Sequence, residues 1–196
     1  MRKLTWLTLL ALLPLGLLFG CGELGTVDQG RVIDYDKAKQ TVTMIQDSSR
    51  VHSKAEYNKL PPVTYTLPKV PSEMGPVPKA GLRMKLDTKA REIVVFDPET
   101  QKFRKITYTL IDQKENVEKY DPLVKDKTFP VIDKAKKTIT VYSGRQKILT
   151  TFTLPEEEFA RPDMTWDAGD EVRIYYHEAG KAQRFMNVSK TDIFKR

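Results

Sequence analysis

The sequence has one cysteine, Cys21, and two histidines, His52 and His177, in 196 residues. A lone cysteine excludes any disulfide within the chain, so a packed core and backbone pairing must hold the fold. Zinc centres need clustered Cys, His or carboxylate ligands at fixed spacing, and none is present. Gly-x-Ser-x-Gly, His-Glu-x-x-His, Walker and dinucleotide-binding patterns are also missing. No catalytic residue, metal site or cofactor is therefore expected. Long blocks of one charge are absent too: 33 Lys and Arg face 26 Asp and Glu, giving +7. Without Arg2 and Lys3 the balance is 31 against 26, or +5. Interspersed charge of that size reads as a solvated surface, and nucleic acid is not an expected partner.

Apolar residues run without interruption only near the start. Met1-Arg2-Lys3 is followed by sixteen uncharged, mostly apolar residues from Leu4 to Phe19. That is short of the roughly 20 a membrane-spanning helix needs, and it fits the helical core of a cleaved signal peptide. Leu18-Phe19-Gly20-Cys21 resembles the lipobox of bacterial lipoproteins, with Phe19 standing where a small residue is commoner. The resemblance covers residues 1–21. It implies diacylglyceryl transfer to the Cys21 thiol, cleavage between Gly20 and Cys21, and a membrane anchor of two or three acyl chains. Gly22 after the cysteine resembles lipoproteins sorted to the Gram-negative outer membrane, facing the periplasm. An envelope protein or glycan is then the expected partner class; oligomeric state stays open.

Beyond Gly30, Thr, Val, Ile, Tyr and Phe recur with period two between turns of Asp, Gly, Pro and Lys, the pattern of short strands. The chain also matches itself. Val32-Ile33-Asp34 and Lys37 to Thr43 align with Val131 to Thr140 across a two-residue gap. Thr64-Tyr65-Thr66-Leu67-Pro68 aligns with Thr151-Phe152-Thr153-Leu154-Pro155. Ala80-Gly81 follows Pro68 by 12 residues and Ala168-Gly169 follows Pro155 by 13. Three matches in one order predict a tandem duplication of a small all-β unit, a barrel or half-barrel. Asp167 to Ile174 resembles the turn entering a strand of SH3-like and OB-like barrels. The expected layout is a signal peptide at 1–20, a lipidated tether at 21–30, β domains at 31–112 and 129–196, and a linker or short helix at 113–128. The nine residues from Gly22 to Gly30 reach about 30 Å.

Three side chains stand out as candidate partner contacts: Trp166, Tyr175 and His177. Trp166 equally suits a cap over an open barrel end. These readings point to a non-catalytic, membrane-anchored binding or assembly module. Two rivals remain. One is a hydrolase of envelope substrates using two carboxylates from the acidic stretch 156–171, the other a small-ligand carrier with a mouth lined by Tyr175, Trp166 or Phe185.

Overall fold

A computed structural model describes residues 24–49 and 54–191. Gly20, Cys21 and the rest of the expected signal peptide, together with His52, lie outside them. The described chain is all-β, with twelve strands in three antiparallel sheets, none closed into a barrel. They are β1 (Thr26–Asp36), β2 (Thr41–Asp47), β3 (Tyr57–Thr66), β4 (Arg83–Asp87), β5 (Glu92–Asp97) and β6 (Lys102–Thr107), followed by β7 (Thr109–Lys114), β8 (Val131–Asp133), β9 (Thr138–Ser143), β10 (Ile148–Thr153), β11 (Glu171–Tyr176) and β12 (Arg184–Asn187). Sheet one runs β12-β11-β1-β2-β3, sheet two β4-β5-β6, and sheet three β7-β10-β9-β8. Among the described residues no helix is long and apolar enough to cross a membrane.

Hairpin loops of one kind set most of this topology. Asp36, Asp87, Asp97 and Asp133 each end a strand, and after a four-residue loop the next strand begins. The aspartate Oδ1 accepts backbone N–H groups two or three residues on, the side-chain turn that favours Asp at this place. The last loop residue, Gln40, Arg91, Gln101 or Lys137, has φ between 53° and 55°. Ser143 opens a fifth such loop, which ends at Lys147 with φ 55°.

The internal repeat is visible in detail. Val42 and Ile139, Met44 and Val141, Tyr65 and Phe152, and Leu67 and Leu154 are all buried at matching positions. A cross-strand hydroxyl pair, Thr43 with Thr64, recurs as Thr140 with Thr151, each at 2.9 Å. Gly81 and Gly169 pack backbone to backbone; a Cβ on Gly81 would lie 2.3 Å from the amide nitrogen of Gly169. Gly169 also has φ +50°, so both the space and the dihedral require glycine.

Sheet membership nevertheless crosses the halves. β1 pairs with β11 from Thr26↔Tyr176 to Arg31↔Glu171, and β7 pairs with β10. Gln113 and Lys114, at the start of the expected linker, belong to β7, and no helix follows in 115–128. Strand structure begins at Thr26 rather than near Arg31, because pairing with β11 recruits the polar residues Asp28 and Gln29 into β1. Only Gly22 to Gly25 then separate Cys21 from the first strand, a reach of about 14 Å.

Three cores follow from the pleat. Val32 and Met44 face the hollow of sheet one, with Tyr65, Ile174 and Phe185. Their chain neighbours Ile33 and Ile45 point the opposite way, toward Leu82, Met84 and Phe96. A third core lies between sheets two and three, where Ile93, Val95 and Ile106 meet Ile139, Val141 and Phe152.

Candidate anion-binding site

Where the sheets meet, β1, β4 and the β9–β10 loop bring three arginines together. Arg31 extends from β1, and its Nη1 donates to the carbonyls of Arg83 and Met84, each at 3.1 Å. Those carbonyls open where β4 bulges, since the pairing register shifts between Arg83 and Lys85. The Arg31 guanidinium lies over the Tyr57 ring, 4.3 Å from its centroid. Its Nε is buried without a hydrogen-bond partner. Arg83 is 6% exposed, and its Nε donates to the carbonyl of Trp166 at 2.9 Å. Arg145 reaches across from the β9–β10 loop to Glu171.

Glu171 is the acidic counterweight. Its Oε2 accepts from the Tyr57 hydroxyl at 2.7 Å and from Arg145 Nη2 at 2.5 Å. Its Oε1 accepts from Gln29 Nε2 at 2.6 Å, and Gln29 Oε1 in turn accepts from Arg173 Nε at 2.7 Å. In the repeat alignment Glu171 is the counterpart of Arg83, so one position carries opposite charges in the two copies.

The three arginines and Tyr57 border a cavity of about 780 Å³. Arg31 and Arg83 lie on it, as do Arg145, Lys54, Lys85 and Lys105; Glu56 is the one acidic residue in its wall. Some of this charge is answered nearby: Lys85 by Asp87 at 2.9 Å and Arg145 by Glu171. Lys54 and Lys105 make no ion pair among the described residues. Burial pushes Arg83 down to about 10, helped by the neighbouring charge of Arg31 and opposed by Asp167. Burial lowers Arg31 as well, with Arg145 acting in the same direction. A guanidinium inside a protein keeps its proton at neutral pH, so both are cations there. Burial also drives the Tyr57 hydroxyl up to about 12. Two guanidinium groups held side by side and largely out of water, with further cations around the cavity, form a place where an anion is favoured.

The candidates read from sequence lie elsewhere. Trp166 is buried in the core between sheets two and three, and its carbonyl accepts from Arg83 of the arginine cluster. Tyr175 covers Gly25, and its hydroxyl is 2.9 Å from His177 Nε2, at the end of β11. Phe185 is buried within sheet one. In the acidic stretch, Glu156 pairs with Lys137, Glu158 with Arg104 and Arg161, Asp163 with Lys134, Asp167 with Lys79, and Asp170 with Lys190. Among the described residues no group of three or more His, Cys, Asp or Glu could hold a metal ion. Sequence reasoning missed Arg31, Arg83 and Arg145. Arg83 alternates with Leu82 and Met84 and so reads as solvent-facing; the bulge turns it inward.

Residues 23–196 match the family described as Domain of unknown function (DUF4881). No curated protein and no solved structure matches the chain.

Proposed function

We propose the following role for this chain, which belongs to the DUF4881 family: it is a lipid-anchored, non-catalytic binding module of the bacterial envelope that holds an anionic small molecule in the cavity at the sheet junction. The anchor rests on the lipobox-like Leu18-Phe19-Gly20-Cys21 and the leader before it. The ligand class rests on one observation. Buried Arg83 and half-buried Arg31 line one cavity of small-molecule size beside Arg145, Lys54 and Lys105, with the single acid Glu56 in its wall. Small-molecule sites commonly measure about 300–1,000 Å³. The carboxylates of 156–171 that a hydrolase would need are mostly held in ion pairs, which favours binding over hydrolysis.

Two measurements test this. Intact-mass spectrometry of the protein from its own membranes should give residues 21–196 plus acyl chains, and Cys21→Ala should abolish the acyl mass. Titration of the purified protein with inorganic phosphate and pyrophosphate should raise its melting temperature saturably. Lys105→Gln, an exposed change, should weaken that response. An unacylated mass would remove the anchor, and no response to either anion at millimolar concentration would remove the ligand reading.

A further inference from the structure

The cavity is not basic throughout. On the face of sheet two turned away from sheet three, Lys85, Val94 and Lys105 stand opposite one another on β4, β5 and β6. Phe103 shares that face two residues before Lys105, and Ala55 approaches from the segment preceding β3. Ala55, Val94 and Phe103 are only partly buried and pack against the core of Tyr57, Met84 and Phe96. They make an apolar floor beside a cationic depth formed by Arg31 and Arg83. A purely hydrophilic anion would satisfy the arginines and leave that floor facing water.

Building on the anion-binding reading, we infer that the ligand is an amphiphile: one phosphate or carboxylate head joined to a short apolar body. The head lies against Arg31 and Arg83, whose forked guanidinium geometry suits either group. The body covers Val94 and Phe103, and the Lys105 ammonium closes over the junction. A volume of about 780 Å³ takes a head and a single short chain rather than a diacyl lipid. Each methylene that leaves water adds about fourfold to affinity, so even a partly covered floor separates an amphiphile from its bare head.

The test compares four probes on the full protein reconstituted in phosphatidylcholine nanodiscs: inorganic phosphate, octyl phosphate, octanoate, and nanodiscs doped with phosphatidylglycerol. Octyl phosphate should bind at least about tenfold more tightly than inorganic phosphate, with octanoate also above the bare anion. Phe103→Ser should weaken octyl phosphate about tenfold and leave inorganic phosphate unchanged; Val94→Thr, a milder change, should do the same to a lesser extent. Lys105→Gln should weaken all anionic probes. Equal binding of phosphate and octyl phosphate would overturn the amphiphile while leaving the anion site intact. Failure of every probe would overturn both. Displacement of octyl phosphate by phosphatidylglycerol doping alone would replace the free amphiphile with a headgroup presented by the bilayer.

Discussion

Holding Arg31 beside Arg83 works against folding, and each neighbouring group offsets part of that cost. The Tyr57 ring faces one guanidinium, two β4 carbonyls accept from its Nη1, and Glu171 stands behind. Tyr57 also ties this cluster to pH. Burial first, then the carboxylate of Glu171, lifts its hydroxyl from 10 to about 12, so the folded protein keeps a proton that the unfolded chain loses. The contribution is complete below pH 10 and is lost as pH rises from 10 toward 12. Two units correspond to about 2–3 kcal/mol, which Arg83 opposes over the same range because its lowered guanidinium gives up a proton that the unfolded chain keeps. The Tyr57 share is therefore read as the difference in denaturation midpoints between the parent and Tyr57→Phe from pH 9 to pH 12. Tyr57→Phe removes the titrating proton. It should cost about 1–2 kcal/mol at pH 8 through the lost hydrogen bond to Glu171, and it should flatten the alkaline slope. An unchanged slope in the variant would assign the alkaline loss to other groups.

Five hairpin loops of a single design carry the connections between neighbouring strands. Each bends at a residue that is not glycine yet has a left-handed φ; Gln40 and Gln101 answer this in the same way, donating from Nε2 to the carbonyl three residues back. A β-branched side chain tolerates that dihedral poorly. Gln101→Val should therefore lower stability by about 1–2 kcal/mol, whereas Gln101→Gly should stay within about 0.5 kcal/mol of the parent, both read from chemical denaturation. Equal effects would show that the loop relaxes to another turn type. Much of this level was legible in the sequence. The repeat, the strand character and the Asp-led turns follow from local periodicity and turn chemistry, and the matched Thr pairs sit where the self-alignment puts them. The start of β1 was not legible, because Asp28, Gln29 and Gly30 look like tether until a strand some 140 residues away pairs with them. The site was hidden for a related reason. Arg83 has the alternation of an exposed residue, and only the bulge and the arrival of Arg31 and the β9–β10 loop turn its surroundings into a cavity.

At the scale of the whole molecule, the duplicated units share strands rather than standing apart. Sheets two and three are built from one continuous stretch, β4 to β10, while sheet one joins the first three strands to the last two. Contacts close in sequence form sooner than distant ones because less loop entropy is lost. In refolding followed by pulsed hydrogen exchange, amides of β5, β6, β9 and β10 should gain protection before those at the β1–β11 junction. Simultaneous protection throughout would mean that the three sheets form as one cooperative unit. The same arrangement has a consequence during synthesis. β1 leaves the ribosome early, and β11 follows after the residues between Asp36 and Glu171 have been made. At about 5–20 residues per second that wait is on the order of ten seconds. For its duration the outer edge of β1 has no partner, and unpaired edges invite aggregation. Asp28, Gln29 and Arg31 lie along that edge, so residues that later bind Tyr65, Glu171 and the β4 carbonyls first serve to keep a waiting strand soluble.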